Sequence, residues 1–255
     1  MDNEQRIKTN KIAIDEIGVK SFFDKRVQKK LPYLLNYTNY QDKHPELALE
    51  RDAYERDRVM PFLNLQNNSR VLDIGCGVGR WGNHVLETIS PKGKYVGVDY
   101  SGNILHLARE HFKANENFAF YESSFQNILQ NLPNNAVQDK FDIILVNGVM
   151  MYINDEDIAV CLRNLQGLIR LGGRICIKES VGLQDRLTLN KIYSEELESQ
   201  YSAIYRSVKE YDELLEASFP AEMYYMVYRD VMWQGDLKNR KETTAYFWII
   251  EKIGG

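Results

Sequence analysis

The side chains best placed to do chemistry gather behind one short apolar run. Arg70-Val71-Leu72-Asp73-Ile74 leads directly into Gly75-Cys76-Gly77-Val78-Gly79-Arg80. Glycines at such a turn let the backbone reverse sharply and let a ligand reach main-chain atoms without meeting a Cβ. A dinucleotide fingerprint would need G-x-G-x-x-G. Here Arg80 stands in the last place and the pattern is G-x-G-x-G. Asp99 closes a second run, KYVGVD. Its carboxylate could accept from both hydroxyls of a ribose, or it could cap the helix that follows. Arg80 offers a planar fork of donors suited to a carboxylate, the alternative being a solvent-facing helix arginine. Farther on, Asn147 follows the run FDIILV, Tyr152 lies just beyond it, and Glu179 ends the run RICIKE. The carboxyl ends of such runs are where ligands collect in doubly wound sheets.

The elements that must position these groups alternate. Strands are expected over 70–74, 94–99, 117–121, 141–146 and 174–178, with helices over 81–89, 102–112 and 155–170 between them. The unbroken apolar run FDIILV suits a strand buried on both faces. Gly172-Gly173 supplies the punctuation expected to end the helix over 155–170. Alternation of this kind implies parallel β-α-β units covered by helices on both faces. A helix over 207–217 and two aromatic strands, 223–232 and 244–252, would close the edge as an antiparallel pair. The fold class is therefore α/β: a Rossmann-like, doubly wound, mostly parallel seven-stranded sheet with an antiparallel edge and an N-terminal helical cap. Residues 1–68 are charged and tyrosine-rich with no strand-like run, and they read as the cap or lid. Residues 69–255 read as one compact unit. Tyr33, Tyr37 and Tyr40 recur at helical spacing, and 46–63 reads as a solvated amphipathic helix with Tyr54 and Phe62 inward.

Composition narrows the class. Of 255 residues, 44% are hydrophobic and 27% charged, the balance of an ordinary globular chain. A net charge of −4 lacks the basic footprint of a nucleic-acid binder, so none is expected. Cys76, Cys161 and Cys176 are odd in number and widely spaced, which suggests free thiols in a reducing compartment and no metal site. The N-terminal stretch is polar, and no run approaches the ~18 apolar residues of a membrane span. A cytoplasmic protein with no membrane partner is expected. Nothing in the sequence indicates an oligomeric state.

Four segments, VLDIGCGVGRWG, KYVGVDYS, FDIILVNGVMMYI and LIRLGGRICIKES, resemble the motifs of class I S-adenosylmethionine (SAM)-dependent methyltransferases over residues 69 to 180. That resemblance implies SAM as the cofactor. Gly75 and Gly77 would pass beneath its methionine part with Asp73 nearby, and Arg80 would reach its carboxylate. Asp99 would hold the ribose and Tyr100 would pack by the adenine. Ser124 and Phe125, in NFAFYESSFQN, would meet the adenine edge, and Asn147 the amino group. The leader FFDKR…YQDKHPELALERDAYERDRVMPFLNL resembles that of bacterial sugar and natural-product methyltransferases. It implies transfer to an O or N atom of a small polar metabolite. A more distant resemblance is to protein N-terminal α-amine methyltransferases. This chain has Gly148, Tyr152 and Tyr201 where that branch carries a tryptophan, a histidine and an aspartate. A third reading keeps SAM binding without catalysis. For the acceptor, Glu179 is the first candidate to handle a proton and Tyr152 the second. Tyr37, Tyr40 and His44 of the cap, with Tyr201, Tyr205 and Arg206 beyond the fifth strand, are candidate substrate contacts.

Overall fold

The computed structural model describes residues 5–89, 92–238 and 240–255. Its strands are β1 (Gln5–Lys8), β2 (Arg70–Ile74), β3 (Lys94–Asp99), β4 (Phe118–Glu122), β5 (Phe141–Asn147), β6 (Ile169–Gly182), β7 (Leu187–Ser194), β8 (Ser199–Tyr205), β9 (Tyr224–Val231) and β10 (Thr243–Lys252). The helices are α1 (Glu16–Arg26), α2 (Pro45–Val59), α3 (Arg80–Ile89), α4 (Gly102–His111), α5 (Ile128–Asn131), α6 (Asn134–Gln138), α7 (Asp155–Leu168) and α8 (Val208–Ser218). No helix among the described residues is long and apolar enough to cross a membrane.

Seven strands form the main sheet in the order β4-β3-β2-β5-β6-β10-β9. The first five run parallel, and β10 and β9 close the edge antiparallel. This is the doubly wound order that the alternation of runs implies, with the antiparallel pair where the aromatic strands were expected. Successive side chains on a strand point to opposite faces. Leu72, Ile74, Ile144, Val146, Ile175 and Ile177 therefore pack with residues of α7 and α8. Val71, Ile143, Leu145, Cys176, Phe247 and Ile249 pack on the other face with Trp81 and Val85 of α3. Two cores with one sheet between them leave the carboxyl ends of β2, β3, β5 and β6 as a shared edge.

Three expectations need correction. Gly172-Gly173 do not end a helix, because α7 stops at Leu168 and β6 begins at Ile169. Gly172 takes φ +75° inside the strand, where the register with β5 shifts between Phe141 and Ile143. The glycines thus absorb a bulge. Residues 5–8 form a strand after all, and with β7 and β8 they build a separate antiparallel sheet in the order β1-β7-β8. Short polar strands carry too little apolar alternation to stand out in sequence. The stretch around Tyr33, Tyr37 and Tyr40 is no helix either. Only Leu34–Tyr37 winds into a 3₁₀ turn.

Candidate active site

The glycine loop folds back onto the end of β3. The N–H groups of Gly75 and Cys76 both donate to Val98 O, at 2.7 and 3.0 Å. That path requires left-handed backbone at Gly75 (φ +70°) and Gly77 (φ +55°). A Cβ on Gly77 would lie 2.5 Å from Thr38 Cγ2, and one on Gly75 would run into Val149 Cγ2. Two distant parts of the chain therefore close over the loop, one before β2 and one after β5.

Asp99 is buried at the end of β3. Its Oδ2 accepts from Gly77 N at 3.0 Å and its Oδ1 from Ser101 N at 2.9 Å. Burial pushes its carboxyl up to about 6, although those N–H groups pull it down. Asp73 is equally buried and accepts from the Tyr95 hydroxyl at 2.5 Å. Burial raises it to about 7 against that bond. Asn147 ends β5 with both amide atoms buried and no partner among the described residues. The Tyr100 hydroxyl is buried without a partner as well. Unmet buried polar groups are costly, so a ligand that meets them is favoured there. Asp73, Gly75, Gly77, Asp99, Tyr100, Ser124, Phe125 and Asn147 all line one cavity of about 480 Å³.

The same cavity has an aromatic wall. Tyr40, Tyr152, Tyr201 and Tyr205 link their hydroxyls in series at 3.2, 2.9 and 3.4 Å. Tyr201 and Tyr205 share one face of β8, Tyr152 ends a 3₁₀ turn after β5, and Tyr40 comes from the segment before α2. Phe23 of α1 packs edge-on against Tyr152 at 5.4 Å and Tyr100 at 5.8 Å between ring centroids. Burial pushes all four phenols above their ordinary value. At neutral pH they are neutral hydrogen-bonding groups.

Five expected site residues stand elsewhere or do something else. Glu179 does not face the cavity. It is fully buried, and its carboxylate accepts from the N–H groups of Val149 and Met150, both at 2.8 Å, and Met151 at 3.3 Å. Burial lifts its carboxyl to about 7. The period of two explains the error: Ile175, Ile177 and Glu179 share one face, while Cys176, Lys178 and Ser180 share the other. Arg206 is also buried, pairs with Asp155 at 2.7 Å, and donates to Met150 O and Ile153 O at 2.7 and 2.8 Å. Glu179 and Arg206 thus grip the Met150–Tyr152 turn from its two polar sides and position Tyr152. His44 precedes α2 with its side chain 72% exposed, outside the cavity. Tyr37 spends its hydroxyl on Lys29 O at 2.9 Å and does not line the cavity. Arg80 does line it, but its Nη1 donates to Asp52 at 2.8 Å and its Nη2 to Glu55 at 2.6 Å.

Asp52 and Glu55 belong to α2, whose polar face reads in sequence as solvated. Glu55 is instead fully buried and also holds Lys178 Nζ at 3.1 Å. Burial works to raise its carboxyl, but the charges of Arg80 and Lys178 outweigh it and hold the group below its ordinary value. No local signal marks Glu55, because its partners lie on α3 and β6. Lys178 could have been found from the alternation that removes Glu179.

A glycine cradle after the first sheet strand, an acid closing the second and an unpartnered asparagine closing β5 define a class I SAM-dependent methyltransferase. Residues 65–238 match the family model described as a methyltransferase domain, and the chain belongs to that family. The demethylmenaquinone methyltransferase of Staphylococcus carnosus is 24% identical over 144 residues, 56% of this chain and 56% of the relative. The match thus spans about half the length of that relative. Phosphoethanolamine N-methyltransferase 1 of Haemonchus contortus, solved with phosphoethanolamine and S-adenosylhomocysteine (SAH), superposes with a TM-score of 0.66 at 20% identity, covering 94% of this chain and 49% of that one. The Burkholderia thailandensis 1,6-didemethyltoxoflavin-N1-methyltransferase, solved with 1,6-didemethyltoxoflavin and SAH, gives a TM-score of 0.64 at 15% identity, covering 98% and 95%. At such identities the likeness shows the fold.

Proposed function

We propose that this chain transfers a methyl group from SAM to an O or N atom of a small polar metabolite, such as a sugar or natural-product intermediate, with residues 1–68 capping the cavity and 69–255 holding the cofactor. One observation carries this reading. The glycine-loop end and the tyrosine wall open into a single cavity, so donor and acceptor would share one enclosure. The residues present suit SAM: Gly75 and Gly77 line the cavity with their backbone, and Asn147 and Tyr100 offer buried polar atoms with no partner among the described residues. Asp99 would hold the ribose, Tyr100, Ser124 and Phe125 the adenine, and Gly75, Gly77 and Asn147 the methionine part. Bound SAM supplies a methyl already activated as a sulfonium.

The chain then has to enclose, orient and exclude water. Thr38 and Val149 close over the glycine loop, and α1 presents Phe23 to Tyr152. No histidine lines the cavity among the described residues. Tyr152, at the centre of the hydroxyl series, takes the place that Glu179 loses. As a neutral phenol it orients an acceptor by hydrogen bonding. An amine acceptor needs only to arrive neutral, whereas a hydroxyl gains from a base. The names of the similar proteins support a small-molecule acceptor, and phosphoethanolamine and 1,6-didemethyltoxoflavin in two of them support a polar one methylated on nitrogen.

The test has two stages. Calorimetric titration with SAH should show binding by the full chain. Methyl-labelled SAM, incubated with metabolite extract from a deletion strain, should then label a small polar compound identified by mass spectrometry. Tyr152→Phe should keep SAH affinity and lower kcat about tenfold, the worth of one hydrogen bond to the reacting group. Label appearing only on protein would overturn the substrate class, and SAH binding with no labelled product would leave a SAM-binding protein without turnover.

A further inference from the structure

We infer that the atom methylated in this cavity is the nitrogen of a small amine that arrives neutral, and that the tyrosine wall holds its N–H groups. This rests on the methyltransferase reading of the same cavity and narrows its acceptor. A phenol carries one proton and two lone pairs. In the series Tyr40, Tyr152, Tyr201 and Tyr205 the three hydroxyl–hydroxyl bonds, at 3.2, 2.9 and 3.4 Å, spend three of the four protons. No other hydrogen bond reaches these oxygens among the described residues. The wall is thus short of protons and rich in lone pairs, and it suits a group that donates more than it accepts. A neutral primary amine has two N–H groups and one lone pair. Phenol oxygens that take the N–H groups leave that lone pair free to be aimed at the methyl, which is the orientation that transfer requires. A hydroxyl has the opposite balance, one donor and two lone pairs.

Charge points the same way. As the nitrogen lone pair forms the new C–N bond, the C–S bond breaks with its electron pair left on sulfur, and one positive charge passes from sulfur to nitrogen. The surplus proton leaves the product for water afterwards. Aromatic faces attract such a charge. Tyr40 and Tyr152 each stand nearly perpendicular to Tyr201, at 6.1 and 6.2 Å between ring centroids, and all three line the cavity. The cluster already holds one cation: the Arg26 guanidinium lies 4.9 Å from the Tyr40 centroid, with Asp42 as its counter-ion. A hydroxyl acceptor would instead have to give up its proton as the methyl arrives. Among the described residues no group lining the cavity is placed to take it. Burial holds the four phenols above their ordinary value. The lining carboxylates are engaged elsewhere. Glu16 accepts from Asn154 N and Gln126, and Glu55 pairs with Arg80 and Lys178. Asp73 accepts from the Tyr95 hydroxyl, and Asp99 from Gly77 N and Ser101 N. None of them bonds to the tyrosine series.

The experiment uses the full chain throughout. Benzylammonium and benzyl alcohol, a cation with N–H donors and a neutral hydroxyl on the same ring, are titrated calorimetrically into the chain saturated with SAH. SAH with an ammonium resembles the products of transfer to nitrogen, so benzylammonium should bind at least fivefold more tightly than the alcohol. Tyr152→Phe with Tyr201→Phe removes the oxygens and keeps the rings. It should weaken benzylammonium at least fivefold and leave SAH affinity unaltered. SAM labelled with carbon-13 in its methyl group is then incubated with metabolite extract from a deletion strain grown on nitrogen-15 ammonium. NMR of the product should show the methyl carbon coupled directly to nitrogen-15. A methyl carbon bonded to oxygen or carbon would overturn the nitrogen assignment while leaving methyl transfer in place. Equal binding of cation and alcohol, binding of neither, or an indifferent double variant would overturn the part given to the tyrosine wall. Failure of SAH to bind, or the absence of any labelled product, would instead remove the underlying reading.

Discussion

Gly77→Ala probes the closure of the cap over the glycine loop. Two costs are readable at that position. Left-handed backbone at φ +55° costs a residue with a Cβ about 1–2 kcal/mol. The new Cβ would also stand 2.5 Å from Thr38 Cγ2 and 3.1 Å from Thr38 Cβ, and forcing them apart costs about 1–3 kcal/mol. For a chain of this size each kcal/mol moves Tm by roughly 2–4 °C, so a drop on the order of 10 °C is expected. Thr38→Ser removes the nearest carbon and keeps the hydroxyl. Alone it should cost little; combined with Gly77→Ala it should recover about 1–2 kcal/mol, because the 2.5 Å contact goes while the 3.1 Å contact with Thr38 Cβ and the backbone strain stay. Scanning calorimetry of the four proteins measures the coupling. If the two costs add within about 0.5 kcal/mol, Thr38 does not sit on the loop and the cap does not close there.

Glu179→Ala strands three buried N–H groups around the Met150–Tyr152 turn, so stability should fall by about 3 kcal/mol and turnover with it; an unaltered Tm with turnover lost would return Glu179 to the chemistry. SAM affinity should rise as pH climbs through about 6 and level off above 7. Asp99 must be ionised to accept fully, and burial has raised its carboxyl to about 6, so protonation below that value removes an acceptor; a flat calorimetric profile from pH 5 to 8 would refute this. Arg80→Ala should weaken SAM and 5′-methylthioadenosine alike, because its guanidinium braces α2 against the loop; a loss confined to SAM would show that it reaches the cofactor's carboxylate.

Much of the sheet was legible because strands buried on both faces announce themselves as unbroken apolar runs. FDIILV and RVLDI are of that kind; Asn147 and Gly75 follow them directly, and Asp99 closes KYVGVD at the same edge of the sheet. What failed was long-range or depended on phase. Glu179 and Lys178 are adjacent, and only their parity on β6 decides which one faces the cavity. Arg206 reads as a cationic contact, yet the carbonyls it serves belong to a turn more than fifty residues away. Glu55 looks like any acid on a charged helix until α3 and β6 bring Arg80 and Lys178 to it. Tyr40, Tyr201 and Tyr205, candidates because a flat ring carrying a hydroxyl suits a polar ligand, do line the cavity; Tyr37, of the same type, spends its hydroxyl on a backbone carbonyl instead.

The small sheet has a consequence for how the chain is made. Residue 5 pairs with residue 190 and residue 8 with residue 187, so β1 waits for β7, synthesised far later. At roughly 5–20 residues per second, a ribosome needs on the order of 10–40 s to cover that interval. Throughout it the leading segment has no pairing edge, and the Rossmann strands β2 to β6 can assemble first. Tyr201 and Tyr205 reach the cavity on β8, which pairs with that same late-arriving β7. The tyrosine wall is therefore completed after the glycine loop during biosynthesis, and a ribosome-bound chain halted before β7 emerges would carry that loop without Tyr201 and Tyr205, the β8 part of the proposed acceptor wall.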